Sequence, residues 1–508
     1  MKLNQLILAV IVGTRLALPT FAADGEATNV TGAAQSESPA SATGGGAPGS
    51  AETTEIESLN KEIQVLEQKV QKLEKQDQSE QQAAIQTNRE EIQELDQKVR
   101  ILSRQHELDQ ESAEAAARGQ PKFRLDSSGF TLTSADTNFA ISLHALVQMD
   151  SRTYLGDNNV ANSGFLLRRA RPIITGTVFR DFDYNLTPDF GGSTVQIQDA
   201  YINYHYNPEL QLEAGKFKAP VGLEQLQPDQ YTLFNERSLV TDLVPNRDVG
   251  LELHGDLFGG AISYAAGVFD GSPDYNSTTT NANSDSYLAY DGRIFLQPWK
   301  TSDVDLLRGL GFGVGGSYEN TSGVGGLTSG YTTDGQQKFF TYSTGVVANG
   351  RHWRLSPQGY YYNGPLGILG EYAISDQDVR TNATTADLRN TAWEVSASWV
   401  LTGEDASYAG VTPRHPFNLR GGGWGAWQVV GRYEELNVDS AAFQTFALST
   451  ASASAAHAWS VGLNWYLNRN IRFNASFSHT MFSGYTGGAP AVPAKDEEVF
   501  FTRIQLAF

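Results

Sequence analysis

Two adjacent arginines, Arg168 and Arg169, are followed by Arg171, and these are the residues whose type and spacing most clearly suggest chemistry. A guanidinium group is planar and permanently charged, and it binds carboxylate or phosphate oxygens through paired hydrogen bonds. Neighbouring residues on a strand point to opposite faces unless a bulge intervenes. Regular alternation therefore places Arg169 and Arg171 on one face and Arg168 on the other, whereas a bulge would bring Arg168 and Arg169 together.

Other chemistries find little support in the sequence. The chain has no cysteine, which excludes disulfides, thiolate metal sites and cysteine nucleophiles. Its eight histidines are scattered, no Gly-Lys-Ser/Thr follows the glycines at 311–316, and no Gly-x-Ser-x-Gly occurs. We therefore expect no enzymatic activity, no metal and no cofactor. The net charge of -20 argues against a nucleic-acid partner.

The last twelve residues, 497–508, alternate with the period of two that a β-strand requires. One face suits lipid and the other suits water; the first consists of Phe500, Thr502, Ile504, Leu506 and Phe508. No run of about twenty apolar residues follows the amino terminus, which excludes a helical membrane protein. The mean hydropathy of -0.34 is still compatible with a membrane barrel, because only alternate residues must be apolar.

Similar alternating segments recur throughout the second part of the chain. We predict sixteen strands, which begin near Asn138, Gly164, Phe182, Thr194, Glu209, Val249, Gly260, Asp285, Gly309, His352, Pro365, Leu388, Trp424, His457, Ile471 and Glu497. Most connections after odd-numbered strands are long and polar, including 150–163, 218–248, 320–350 and 376–387, although 337–348 could be a further strand. This pattern predicts an all-β, sixteen-stranded antiparallel transmembrane barrel with a polar, wet interior.

Several segments resemble the phosphate-selective porin O and P family of bacterial outer-membrane porins. They are the residues 165–170 (FLLRRA), 179–184 (FRDFDY), 215–217 (GKF), 222–224 (GLE), 401–404 (LTGE) and 462–467 (GLNWYL). The resemblance covers 122–508. It implies a homotrimer in the outer membrane of a Gram-negative bacterium, through which small hydrophilic solutes diffuse passively, phosphate and other anions among them. It also implies that the barrel assembly machinery reads the terminal Phe508.

In that family the paired arginine lines the constriction, which assigns Arg168 and Arg169 to the pore. Further expected pore-lining charges are Arg171, Lys216, Arg432 and Arg503. The third outer loop should fold into the lumen as a constriction loop, with the charged residues Glu224, Asp229, Glu236, Arg237, Asp242, Arg247 and Asp248. This loop is net acidic, and Gln225 stands where the family has lysine. A general, non-selective porin is therefore an alternative.

The sequence of the amino-terminal part predicts three segments before the barrel: a signal peptide, a linker and a coiled coil. Residues 1–22 combine Lys2, an apolar run and a small-residue site before Ala22, which indicates a signal peptide. Residues 23–53 are rich in Ala, Gly, Ser and Pro, which is typical of a flexible linker. From Ile56 the apolar residues recur at three- and four-residue spacing, which predicts a periplasmic α-helical coiled coil over 54–117. The barrel domain is expected over 119–508, opening with a hairpin at 122–133.

The stoichiometry and role of the coiled coil are open at this stage. Ile or Val at the first core position with Leu at the second favours two strands, whereas a trimeric porin would require three, and we expect three. The alternative function is structural: the barrel would anchor the chain in the outer membrane and the coiled coil would tether the envelope to peptidoglycan.

Overall fold

The computed structural model describes residues 52–156, 161–192, 194–278, 287–323, 327, 330–448, 450–484 and 495–508, without the side chains of 52–56 and 113–118. The expected signal peptide and nearly all of the expected linker lie outside these residues. The chain divides into two compact units, Met1–Glu107 and Leu108–Phe508.

One continuous helix, α1 (Glu52–Arg118), occupies the described part of the first unit and extends into the second. Ion pairs at four-residue spacing support it, including Lys98 with Glu94 at 2.7 Å. Its apolar seam is uncovered, with Leu59, Ile63 and Leu73 at least half exposed. In the part of the chain that the structure describes, no helix is long and apolar enough to cross a membrane.

The second unit is built from antiparallel strands. A hairpin of β1 (Lys122–Asp126) and β2 (Gly129–Thr133) precedes them. The later strands are β3 (Ala140–Tyr154), β4 (Gly164–Val178), β5 (Phe182–Asp189), β6 (Gln196–Asn207), β7 (Leu210–Lys218), β8 (Arg247–Leu257), β9 (Ile262–Phe269), β10 (Ala289–Leu296), β11 (Leu310–Ser322), β12 (Gly330–Thr332), β13 (Lys338–Thr341), β14 (Val347–Asn363), β15 (Leu366–Thr381), β16 (Thr384–Val400), β17 (Ala426–Asn437), β18 (Ala455–Tyr466), β19 (Ile471–Ser483) and β20 (Glu497–Ala507).

All of these later strands except β12 and β13 pair with their neighbours, and β20 pairs with β3 to close a sixteen-stranded barrel. The predicted barrel is therefore confirmed, and each strand begins within five residues of its predicted position. The end where β3 stops and β4 begins is called the outer end below, and the opposite end, which holds Phe508, is called the inner end.

The predicted long loop at 376–387 is wrong. Strand β15 continues to Thr381 and β16 begins at Thr384, so two residues make the turn, with Asn382 at φ 52°. Both strands carry charged side chains near this turn, including Asp378 directly opposite Asp387. These polar residues hide the alternation on which the strand prediction rests. The suggested strand at 337–348 is partly present, as β13 and the start of β14.

Among the described residues, those of the third, fifth and seventh outer loops fold into the barrel and pack against one wall. The third loop (219–246) carries α2 (Leu223–Leu226) and a 3₁₀ helix (Leu239–Leu243). The fifth loop carries the β12–β13 hairpin, and the seventh loop, between β17 and β18, carries α4 (Ala442–Thr445). Their apolar side chains form a buried cluster with strands β15 to β18, here called the loop core: among others Leu239, Leu243, Phe340, Phe446, Leu388 and Leu436. The interior is therefore not wholly polar, because the loops bring apolar residues of their own.

The inner end has one long connection that also enters the barrel. Residues 401–425 join β16 to β17, whereas α3 (Asp305–Arg308) occupies the other long inner connection. The Tyr408 hydroxyl donates to the Leu223 carbonyl at 2.6 Å, and the Gln227 amide donates to the Tyr408 carbonyl at 2.7 Å. The third loop is therefore held from the outer and inner ends at once.

Candidate functional site

A β-bulge in β4 decides the orientation of the paired arginines. Gln148 of β3 lies opposite Arg169 and Met149 lies opposite Leu167, so Arg168 is the extra residue. Both side chains consequently reach partners inside the barrel. Arg168 donates to Glu236 of the third loop, and Arg169 donates to Gln148 at 2.7 Å.

Arg168 belongs to a cluster centred on Glu236, here called the Glu236 cluster. Arg168 Nε lies 2.6 Å and Arg152 Nη2 lies 2.8 Å from Glu236 Oε1. Arg503 makes a two-pronged ion pair with Asp150, at 2.6 and 2.7 Å, and also lies 3.8 Å from Glu236. Three arginines thus share two carboxylates, which leaves an excess of one positive charge.

Arg169 belongs to a second cluster, here called the Asp229 cluster. Asp229 Oδ1 lies 3.2 Å from Arg169 Nη2 and 2.5 Å from Arg237 Nη1, and Asp229 Oδ2 accepts a hydrogen bond from Arg171. Arg171 Nε also lies 2.6 Å from Asp189 Oδ2. Again three arginines share two carboxylates.

The arginines fix the charge state of the loop carboxylates. Burial opposes ionisation of Glu236, but the charge of Arg168 outweighs it, and the pKa of Glu236 lies below its ordinary value. Burial likewise opposes ionisation of Asp229, but the charges of Arg169 and Arg237 outweigh it and hold the pKa of Asp229 well below the ordinary range. Among the described residues, Asp242 has no arginine partner, and burial raises its pKa well above the ordinary value.

Three cavities inside the barrel follow one wall from the outer to the inner end. The outer chamber has about 380 Å³ and is lined by members of both clusters; its charged lining is Arg168, Arg169, Arg171, Arg237, Arg247, Asp229, Glu236 and Asp242. The middle chamber has about 370 Å³; its charged lining is Arg171, Lys218, Arg247, Asp199, Glu213, Asp229 and Glu252. The inner chamber has about 490 Å³, and Arg469, Arg472 and His144 line it with the terminal residue Phe508.

Shared residues connect these chambers in series. Arg171, Asp229 and Arg247 line both the outer and the middle chamber, and Ile173 and Gln230 line both the middle and the inner chamber. Strands β3 to β8 and the third loop supply most of the lining of the first two chambers. The three chambers together are called the path below.

The structure separates three of the expected pore-lining residues from this path. Arg432 lies against the fifth loop and its own strand, 2.8 Å from Asp334 and 3.1 Å from Glu434. Lys216 donates to the Thr278 carbonyl at 2.7 Å, and Arg503 is held by Asp150 in the Glu236 cluster. None of these three residues lines one of the three chambers.

The remaining constriction-loop residues have structural partners. Glu224 accepts from the Ser238 backbone and hydroxyl, and Asp248 accepts from the Gly271 backbone. Arg247 makes a two-pronged ion pair with Asp199, at 2.9 and 3.2 Å. The loop that looks net acidic in the sequence is thus largely neutralised by strand arginines.

Sequence reasoning missed the insertion of the fifth loop. Asp334, at the turn of the β12–β13 hairpin, accepts from Arg432, Ser460 and Ser478, and Glu497 accepts from Thr333. The short apolar run at 339–342 beside a polar turn was the available signal. In the described part of the chain, no group of three or more acidic or histidine side chains could hold a metal ion.

The chain is similar to several known proteins. Solved structures that the chain resembles include the channel DcaP of Acinetobacter baumannii, with 12% identity, a TM-score of 0.49, and coverage of 75% of this chain and 100% of that one. OmpT of Vibrio cholerae is another, with 11% identity, a TM-score of 0.46, and coverage of 73% and 98%.

Sequence comparison gives the family. Porin O of Pseudomonas aeruginosa is 22% identical over 420 residues, which cover 75% of this chain and 91% of that protein. The family model for phosphate-selective porin O and P matches residues 141–508, which is almost the whole barrel. The chain belongs to the phosphate-selective porin O and P family and is an outer-membrane porin of a Gram-negative bacterium.

Proposed function

We propose that this porin lets small hydrophilic solutes diffuse along the path and prefers small anions, phosphate among them. The observation that carries the proposal is the excess of guanidinium over carboxylate in the Glu236 and Asp229 clusters. The outer chamber is lined by five arginines and three carboxylates. A confined site with positive charge concentrates anions, and charge-assisted hydrogen bonds orient them.

The outer chamber also retains an unpaired guanidinium donor in its lining. Among the described residues, Arg169 Nε has no hydrogen-bond partner, and the Arg169 side chain lines this chamber. Carboxylates hold the guanidinium groups of the clusters in fixed positions, so little side-chain entropy is lost when an anion binds. Because each cluster carries an excess of only one charge, an anion should be held weakly enough to leave, as conduction requires.

A general porin without ion preference is the second candidate, and the middle chamber favours it. Its lining has four carboxylates, Asp199, Glu213, Asp229 and Glu252, against three cationic side chains. The middle chamber therefore opposes the anion preference of the outer one. The measured selectivity depends on which of the two chambers dominates.

The test is the reversal potential of the purified protein in a planar bilayer under a KCl gradient, followed by addition of inorganic phosphate. Stepwise ohmic insertions, a reversal potential of the sign for chloride permeation, and reduced current with phosphate are the expected results. A reversal potential near zero or of the sign for potassium permeation would reject the anion preference and favour the general porin.

We also propose that the chain forms a homotrimer and that α1 forms its coiled coil. The half-exposed apolar seam of α1 supports self-association, because a single chain leaves these residues in water. Sedimentation equilibrium of the protein in density-matched detergent measures the stoichiometry. A mass of three chains is expected, and a mass of one or two chains would reject the trimer.

Two partners are proposed for the ends of the chain. The barrel assembly machinery would read the last strand, whose terminal Phe508 exchanges backbone hydrogen bonds with Ala145 of β3. A tether to peptidoglycan through α1 is the structural alternative. Deletion of residues 55–117 separates the two functions, because a porin keeps its conductance whereas a tether loses its envelope phenotype.

A further inference from the structure

Arg472 of β19 differs from the arginines of the Glu236 and Asp229 clusters. Its side chain faces the lumen and is 3% exposed. Its Nη1 donates to the Thr232 carbonyl at 2.8 Å, and its Nη2 lies 3.4 Å from Gln505 Oε1. Within the described ranges, its buried Nε has no hydrogen-bond partner, and no carboxylate forms an ion pair with the Arg472 side chain.

The described lining of the inner chamber offers no acidic side chain as a counterion. It consists of Arg472 and Arg469 with polar, apolar and aromatic residues, among them Tyr466, Gln505, Tyr231, Asn468 and Asn470, and its one carboxylate is that of the terminal Phe508. The Tyr466 ring, 5.8 Å from Arg472 Cζ, supplies a weak cation–π contact. The arginines of the outer chamber, in contrast, share loop and strand carboxylates.

Burying a charged side chain without a counterion costs free energy unless hydrogen bonds or a bound ion of opposite charge compensate it. Arg472 cannot relieve this by losing its proton, because guanidinium stays protonated in proteins. Arg472 lines the 490 Å³ chamber, and a small anion held there would compensate the charge of its guanidinium group.

We propose that Arg472 is the principal residue of a second anion-binding site, in the inner chamber, which takes phosphate or another small oxyanion. This inference rests on the proposed anion preference of the channel and adds a site that the paired arginines do not provide. Anions leave the outer clusters, cross the middle chamber and pair with Arg472 before release at the inner end. The loop carbonyl of Thr232 and Gln505 orient the guanidinium for this contact.

The test measures block of single-channel chloride current by inorganic phosphate added separately to the outer and the inner side. We expect Arg472→Gln to raise the dissociation constant for block from the inner side about tenfold, which corresponds to one charge-assisted hydrogen bond. Block from the outer side should change less. Arg472→Lys keeps the charge and should retain most of the inner block, which separates the loss of charge from misfolding.

Arg293→Gln is the matched control. Arg293 also lies inside the barrel and donates to Gln358 at 2.8 Å, but it lines none of the three chambers. An unchanged inner block in Arg472→Gln, or an equal loss in Arg293→Gln, would overturn the second site while leaving the anion preference of the wild type intact. A wild type without anion preference or phosphate block would instead reject the proposed function together with this site.

Discussion

Two walls of the same barrel have opposite characters. Along β15 to β18 the inserted loops pack their apolar residues into the loop core, and Leu239, Leu243 and Phe340 are at most 1% exposed. Along β3 to β8 the interior holds charged clusters and open chambers. The difference shows how the lumen of a wide barrel is narrowed. The wall formed by β15 to β18 immobilises the inserted loops, and the path runs between these loops and the wall formed by β3 to β8.

The loop edge is fixed by strand carboxylates as well as by apolar packing. Glu371 of β15 accepts from the Leu223 and Glu224 backbone, both at 2.9 Å, and Glu434 of β17 accepts from the Leu239 backbone at 2.6 Å. These bonds satisfy amide groups at the start of α2 and of the 3₁₀ helix, which have no partner within their helices. The arginine clusters then attach the opposite edge of the loop to β3 and β4.

The largest expected effect comes from breaking the apolar wall. Leu243→Asp places a carboxylate in the loop core, where an unpaired charge costs several kcal/mol, so we expect the third loop to leave this wall. Single-channel conductance should rise at least about twofold, because in a wide barrel the lumen without its loop is an aqueous channel. Gln230→Asp, which adds the same charge beside the path, is the control and should not raise the conductance.

Removing charge from the opposite wall should change selectivity more than conductance. Arg168→Ala combined with Arg169→Ala takes one arginine from each cluster, so both excesses of positive charge disappear. We expect the anion-to-cation permeability ratio to fall about tenfold, which corresponds to about 1.4 kcal/mol. The reversal potential under a KCl gradient measures it, and an unchanged ratio would refute a role of the pair in the lumen.

A smaller effect is expected at the loop anchor. Glu371→Gln presents an amide N–H₂ to one of the two backbone N–H groups that the carboxylate now serves, at a cost of about 1 to 3 kcal/mol. The thermal unfolding midpoint of the barrel in detergent should fall, and current noise should increase.

Glu394→Gln is the matched control for this anchor. Glu394 lies directly opposite Glu371 on β16; its Oε1 has no hydrogen-bond partner among the described residues, and its Oε2 accepts from Ser396 Oγ at 2.7 Å. The amide oxygen of glutamine can still accept from Ser396, so the replacement removes a like charge without losing a hydrogen bond, and the midpoint should stay or rise. An equal fall of the unfolding midpoint in both variants would show that either carboxylate stabilises the barrel to the same extent. Glu371 would then have no specific role in anchoring the third loop.

The sequence predicts the barrel well because the lipid-facing alternation is local. It fails at the 376–387 turn, where strands leave the membrane and both faces become polar. It also leaves the orientation of Arg168 and Arg169 undecided, since a bulge depends on pairing with Met149 and Gln148 of another strand. Asp229 and Glu236 are identifiable as loop charges, but their arginine partners become apparent only when the loop is folded inside.

The arrangement of the rest of the barrel interior depends on contacts between residues that are distant in sequence. Residues 401–425 read as a long inner connection, and nothing local indicates that Tyr408 reaches Leu223, 185 positions away. Arg472 sits on a well-predicted strand face, yet the absence of a counterion is a property of its neighbours on other elements. That Arg472 is buried without a counterion is therefore visible only in the three-dimensional structure.

The absence of native cysteine permits a direct test of the path. Thr187→Cys introduces a thiol into the middle chamber, whereas Ser398→Cys introduces one on β16, inside the barrel and outside all three chambers. A negatively charged thiosulfonate reagent applied during recording should reduce the current of Thr187→Cys in steps and leave Ser398→Cys unchanged. Reaction of Ser398→Cys without reaction of Thr187→Cys would contradict a path along β3 to β8.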